Sequence, residues 1–174
     1  QAADVASIVG VIRVTRPGHR LHFPALGTHM SYQRHWNSYR QTSTQTASPG
    51  QLVLMLYDGA LRFLEKALGG FDQDDPLEFN QTISNNLLRA QNILSELNST
   101  LNMERGGQLA QTLRALYSYM DDRLTESNFR KSPEGIHDAI RRLTILRDAW
   151  QEMLGRHAAQ AVVSEERTSL FACG

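Results

Sequence analysis

Four stretches of this chain place apolar residues at alternating steps of three and four, the spacing that keeps side chains on one face of an α-helix. The two-residue alternation typical of a half-buried strand is absent from the sequence. The apolar positions are Val53, Leu56, Ala60, Phe63 and Ala67; Ile83, Leu87, Ala90, Leu94, Leu97 and Leu101; Leu109, Leu113, Leu116, Met120 and Leu124; Ile136, Ala139, Leu143, Leu146, Trp150 and Met153. The chain is therefore predicted to be all-α, and stripes of this kind pack helices at small crossing angles.

Capping residues divide the chain into the same four helices. Ser48 offers a hydroxyl cap ahead of Pro49 at the first helical position, and Gln51 can reach back to the cap. Asp75-Pro76 and Ser132-Pro133 repeat the arrangement. The predicted helices span about 49–68, 76–98, 108–128 and 133–158. Because the connections are short, successive helices should run antiparallel, which predicts an antiparallel four-helix bundle.

The two ends of the chain differ from this pattern. Residues 1–29 have neither helix caps nor an apolar stripe, so we expect a leader that contributes little to the fold. Residues 31–40 are predicted to form a short helix or cap segment ahead of the bundle, which is expected to occupy residues 30–158. Residues 159–174 are assigned to a C-terminal tail.

Composition excludes several classes of partner. The chain has 18 Lys+Arg against 18 Asp+Glu, so it offers no basic surface for nucleic acid. Its one cysteine, Cys173, can form neither an intrachain disulfide nor a thiolate metal site. No apolar stretch approaches the roughly 18–20 residues of a membrane span. We expect a protein that neither inserts into a membrane nor binds nucleic acid.

A four-helix bundle can hold a di-iron site. Such a site needs two Glu-x-x-His motifs and two further inward-facing glutamates. Only Glu134-Gly135-Ile136-His137 has this spacing, and it lies in the first turn of a predicted helix. Phosphate-binding loops, dinucleotide fingerprints and activated nucleophiles are absent from the sequence. The sequence therefore predicts no enzyme, no cofactor and no metal site.

The first predicted helix carries more apolar surface than a bundle requires. Its additional apolar residues are Leu52, Leu54, Tyr57, Leu61, Leu64 and Leu68. They widen the apolar arc to about 200°, against the roughly 100° that faces a core. Two interpretations remain open: the N-terminal segment covers this face, or a partner's apolar helix enters it. The two are one mechanism if the covering segment can be displaced.

Four sequence blocks together resemble a known family. They are TASPGQLVLMLYDGALRFLEKA (46–67), RAQNILSELNSTLN (89–102), LYSYMDDRLTESN (116–128) and LRDAWQEM (146–153). In order and spacing they resemble FliS, a family of flagellin export chaperones, over about residues 30–158. Tyr39 lies where that family carries an N-terminal tyrosine, whereas Thr44 replaces an apolar residue usual in the following segment.

The resemblance implies a cytoplasmic, non-enzymatic chaperone of the type III flagellar export system. It would bind the C-terminal segment of unpolymerised flagellin, prevent premature filament assembly and present the cargo to a component of the export gate. The candidate flagellin-binding residues are Tyr39, Leu52, Met55, Leu56, Tyr57, Gln91, Asn92 and Tyr117. For Leu56 the alternative is a core position, and for Gln91 and Asn92 it is hydrogen bonding within the bundle. A helical adaptor for some other partner is the alternative function.

Overall fold

Four long helices make up the part of the chain that the computed structural model describes, residues 48–171 with the side chains through Arg156 and that of Ala159. They are α1 (Pro49–Gly69), α2 (Pro76–Ser99), α3 (Met103–Arg130) and α4 (Glu134–Phe171), with a 3₁₀ turn at Gly70–Asp72 after α1. The all-α prediction is confirmed. The predicted leader (1–29), the predicted cap segment (31–40) and Tyr39 lie outside the described residues.

Side-chain caps begin α1 and α2 where the sequence predicts. The Ser48 hydroxyl accepts a hydrogen bond from the Gln51 amide at 3.3 Å, and the Ser48 amide donates to Gln51 Oε1 at 2.8 Å. This reciprocal pair satisfies two amides that have no partner within the helix. The Asp75 carboxylate caps α2 by accepting from the Leu77 and Glu78 amides at 2.7 and 2.9 Å.

The beginning of α3 and the end of α4 differ from the prediction. Asn102 Oδ1 accepts from the amides of Glu104 and Arg105, so α3 begins before the predicted start near residue 108. The helix is interrupted at Gly107, whose φ of 48° and ψ of −129° suit glycine because it has no Cβ. At the other end, α4 continues to Phe171, past the predicted end near 158. No glycine or proline follows Gly155 within it, so the sequence holds no stop signal there.

The helices form a closed ring in which each packs on its neighbours in the chain and α1 also packs on α4. Adjacent helices run in opposite directions. Gly50 contacts Trp150 near one end of the α1–α4 pair, whereas Asp58, further along α1, contacts the earlier residue Arg147 of α4. The same reversal relates α2 to α3, through Ser84 with Asn128 and Gln91 with Thr125, and α3 to α4, through Tyr119 with Arg142 and Ser127 with Gly135. The antiparallel four-helix bundle is thus confirmed.

The core contains side chains from all four helices. Its largest fully buried members are Tyr57, Leu64, Ile83, Leu87, Leu94, Leu97, Met120, Leu124, Ile136 and Leu143. The predicted stripe of α2 is buried throughout, while Leu109 at the start of the α3 stripe is exposed.

The buried stripe of α1 lies to one side of the predicted one. Both stripes share Val53, Ala60 and Ala67, but Tyr57 and Leu64 occupy the core in place of Leu56 and Phe63, which are half-buried. The alternation of three and four fits either choice, so local spacing cannot decide between them. A partner across the core decides it, since the Tyr57 hydroxyl bonds to Tyr117 of α3.

Candidate functional site

The apolar side chains predicted to bind cargo lie on the outer side of α1. Leu52, Met55 and Leu56 are half-buried, and Leu56 also packs against the core. Two turns further along the same face, the Phe63 ring lies beneath the Arg89 guanidinium of α2, 5.6 Å from the ring centroid. This α1 face therefore borders α2, and it presents aliphatic carbon near the surface of the bundle.

Tyr57 and Tyr117 lie inside the bundle. They are 1% and 2% exposed, and their hydroxyl oxygens are 2.6 Å apart, joining α1 to α3 across the core. Burial raises the pKa of both phenols, so both stay neutral and one hydroxyl can donate to the other. In this conformation neither side chain offers surface to a ligand, and the pair fixes the position of α1 relative to α3.

Gln91 and Asn92 lie on α2 and have different surroundings. Gln91 Nε2 donates to the Thr125 hydroxyl at 2.9 Å and to the Asp121 carbonyl at 3.4 Å, so its amide joins α2 to α3. Hydrogen bonding within the bundle is thus the role the geometry gives Gln91, while Asn92 is exposed beside it. The described candidates form three groups: the outer α1 face, the buried tyrosine pair and the α2–α3 edge.

A charged depression between α1 and α4 was not predicted. It encloses about 520 Å³. Arg147 donates to Asp58 of α1 and to its neighbour Asp148, each at 3.0 Å, and these carboxylates raise the pKa of the guanidinium. Local sequence patterns could not predict this ion pair, because Asp58 and Arg147 are 89 residues apart in the chain. Its paired charges make this depression a poor site for an apolar helix. The lining residues are Asp58, Leu61, Arg62, Glu65, Thr144, Arg147 and Asp148.

Within the described part of the chain, no three His, Cys, Asp or Glu side chains converge on a possible metal position. The Glu134 carboxylate instead accepts a hydrogen bond from the Ser132 hydroxyl, and His137 is exposed. Among these same helices, none has the length and apolar character needed to cross a membrane.

Comparison with known proteins identifies the family. Residues 32–157 match the family model described as Flagellar protein FliS, a range close to the predicted 30–158. The chain belongs to the FliS family. It is 38% identical to the Flagellar secretion chaperone FliS of Bacillus subtilis over 125 residues. The matched region covers 72% of this chain and 90% of that relative.

Two further FliS relatives match a slightly smaller share of the chain. The Flagellar secretion chaperone FliS of Escherichia coli is 36% identical over 115 residues, covering 66% of this chain and 82% of that protein. The protein of the same name from Salmonella typhimurium is 32% identical over 114 residues, covering 65% and 82%. These relatives are named as chaperones and not as enzymes, and the four-helix core described above lies within the matched range.

Proposed function

We propose that this protein is a cytoplasmic export chaperone for flagellin. It binds the C-terminal segment of the unpolymerised subunit, prevents premature filament assembly and delivers the cargo to the type III flagellar export apparatus. Membership of the FliS family, over most of the chain, is the observation that carries this proposal.

The geometry of α1 gives the proposal a binding surface. Leu52, Met55 and Leu56 place aliphatic side chains on one outer face of a capped helix that is anchored to the core by Tyr57. An amphipathic helix can lay its apolar side along such a face. A flagellin terminus that packs against other subunits in the filament is apolar, so covering it would block assembly.

Calorimetric titration tests the proposal. The full chain is titrated with monomeric flagellin and with the same flagellin lacking its C-terminal segment. We expect saturable binding to the first and none to the second. Absence of binding to intact flagellin would reject the flagellin assignment and favour a helical adaptor for another partner.

A substitution on α1 tests whether flagellin binds to this face. Met55→Asp places a carboxylate on the α1 face and should weaken flagellin binding about tenfold or more, which corresponds to about 1.4 kcal/mol. Gln111→Asp adds the same carboxylate at an exposed position of α3 and should bind as the unsubstituted protein does. Equal affinities for the two variants would place the cargo elsewhere.

A further inference from the structure

Lysine is rare in this chain, and its two lysines have different surroundings. Among the 18 Lys and Arg residues only Lys66 and Lys131 are lysines, and the other 16 are arginines. In the described part of the chain, every ion pair has an arginine as its cation. Lys66 is exposed on α1, whereas Lys131 is half-buried directly after α3. An arginine stays protonated in proteins, but a lysine can lose its proton and react as an amine.

The backbone of Lys131 has a conformation that glycine usually adopts at the end of a helix. Its φ of 50° and ψ of 53° lie in the left-handed region, and among the described residues it is the only non-glycine with a positive φ. A Cβ is costly in that region, which is why glycine is favoured there. The Lys131 side chain nonetheless reaches across to α2, so it is held in one place at the surface of the bundle.

The amino group of Lys131 belongs to a closed cluster of three polar side chains. Nζ donates to Ser84 Oγ at 2.8 Å and to Asn128 Oδ1 at 2.7 Å. The Ser84 hydroxyl donates to the same Asn128 oxygen at 3.0 Å, so its own oxygen accepts from Nζ. Both acceptors are neutral. Glu134, three residues further on, accepts a hydrogen bond from the Ser132 hydroxyl instead.

This cluster suits a neutral amine. A neutral amine has two N–H groups and one lone pair, and the two N–H groups match the two acceptors. The lone pair then points away from both of them. Burial without a neighbouring anion also lowers the pKa of the Lys131 ammonium below its usual value. The folded structure therefore raises the share of Lys131 that is nucleophilic at neutral pH.

We propose that Lys131 is an acylation site and that it takes the acyl group from an acyl phosphate. Nζ, after losing one proton to water, attacks the carbonyl carbon of the donor. The N–C bond forms, the C–O bond to the phosphate breaks, and the phosphate leaves with the electron pair of that bond. A second proton passes from the nitrogen to the phosphate, and one N–H remains in the amide.

The surroundings of Nζ favour a donor with a good leaving group. Ser84 and Asn128 offer a hydroxyl and a carboxamide, and neither is an acid at neutral pH, so the cluster cannot protonate a poor leaving group. Phosphate leaves as a stable anion and needs no such help. The product has a single N–H and no charge, so either Ser84 or Asn128 loses its donor. Acylation should therefore loosen the contact between α2 and the end of α3.

Acetyl phosphate is the probe that tests this site. The full chain is incubated with it at neutral pH, and peptide mass spectrometry follows the acetylation of Lys131 and of Lys66. We expect Lys131 to react several-fold faster in the folded chain. In urea the two lysines should react at similar rates, because the cluster is lost. The proposal is overturned if Lys131 reacts no faster than Lys66 in the folded chain, or if its preference persists in urea.

A pair of variants tests the role of the cluster. Asn128→Asp keeps the size of the side chain and its acceptor oxygen, but adds a negative charge that stabilises the ammonium. Acetylation of Lys131 should slow several-fold, while that of Lys66 stays unchanged. Gln111→Asp adds the same charge at an exposed position in the first half of α3 and should change neither rate.

Circular dichroism verifies that both variants keep their helices. An unchanged Lys131 rate in folded Asn128→Asp would show that the cluster does not control its reactivity, and would also overturn the proposal.

Discussion

At the scale of single residues, the tyrosine pair shows how one hydrogen bond can settle a choice that spacing leaves open. The spacing of α1 allows two buried stripes, one through Leu56 and one through Tyr57. The stripe through Tyr57 is the buried one, because its hydroxyl bonds to Tyr117. The Tyr57–Tyr117 bond is 2.6 Å long and buried. A buried polar group costs free energy when it loses its partner, so the bond acts as a constraint on helix position.

Removing one member of the pair should therefore cost more than removing both. Tyr117→Phe leaves the Tyr57 hydroxyl unpaired in the core, and we expect a loss of about 1–3 kcal/mol in unfolding free energy. The double variant Tyr57→Phe/Tyr117→Phe should recover part of that loss, because two apolar rings leave no orphan. Urea unfolding followed by circular dichroism measures the unfolding free energy of the unsubstituted protein and of both variants. A double variant less stable than Tyr117→Phe would contradict this account.

The same pair predicts a loss of stability in alkali. Burial raises both phenol pKa values above the ordinary 10.0, so the folded chain keeps protons that the unfolded chain releases near that pH. Stability should be complete below about pH 10 and fall as pH rises further. The urea midpoint, measured between neutral pH and pH 11, should fall less for the double phenylalanine variant. Equal slopes for both proteins would assign the alkaline loss to other groups.

At the scale of helices, α3 and α4 are in close contact at Gly135. A Cβ at this position would lie 2.5 Å from the Arg123 carbonyl oxygen and would also collide with the Ser127 hydroxyl. Backbone cannot swing aside as a flexible side chain can. The absence of a side chain here therefore sets how α4 starts against the end of α3.

Alanine substitutions in α4 should have opposite effects at two glycines. Gly135→Ala should destabilise the bundle by about 1–3 kcal/mol through overpacking. Gly155→Ala, where an added Cβ meets nothing within 4 Å, should stabilise it by about 0.5–1 kcal/mol through helix propensity. Thermal unfolding compares the two directly. Similar shifts in melting temperature would mean that the α3–α4 contact can relax.

A helix start could be predicted from the sequence where the bonds that cap the helix are local. Ser48 and Asp75 cap helices through bonds to residues two or three positions away, so α1 and α2 began as predicted. The Asn102 cap is equally local, but the glycine pair that follows it suggested a loop. The stripe of α1 depended on a contact 60 residues away, which no spacing rule contains.

The candidate site was less predictable than the fold for the same reason. Leu52, Met55 and Leu56 share a face because of helical spacing alone, and the structure keeps them together near the surface. Tyr57 and Gln91 are residue types common in binding sites, yet the Tyr57 hydroxyl and Gln91 Nε2 form hydrogen bonds within the bundle. Residue type alone cannot distinguish a side chain that binds a ligand from one that forms hydrogen bonds within the bundle.

At the scale of the whole molecule, the bundle is a fixed scaffold whose proposed cargo is a flexible chain. Ordering a disordered segment costs about 2–5 kcal/mol or more of the gross interaction. Each leucine-sized anchor contributes about 1.5–3 kcal/mol of burial before that cost is subtracted. Several anchors must therefore act together, which favours an extended contact over a single pocket.

Flagellin binding should accordingly show the signature of coupled folding. The binding heat capacity should be large and negative, and the isolated C-terminal segment should gain helical circular dichroism in the complex. Titrations at several temperatures measure the first quantity, and difference spectra measure the second. A heat-capacity change near zero, or a segment that binds without becoming helical, would remove this mechanism even if flagellin binding itself were confirmed.

The closure of the ring between α1 and α4 has a kinetic consequence. Three of the four helix pairs join chain neighbours, but the bond from Trp150 Nε1 to the Gly50 carbonyl, 2.8 Å long, spans 100 residues. Closing so long a loop costs more conformational entropy than pairing adjacent helices, and this cost slows the step. We therefore expect this contact to form after the main folding barrier. Trp150→Phe should then accelerate unfolding in stopped-flow experiments while leaving the refolding rate almost unchanged. A comparable slowing of refolding would instead place the α1–α4 contact in the folding nucleus.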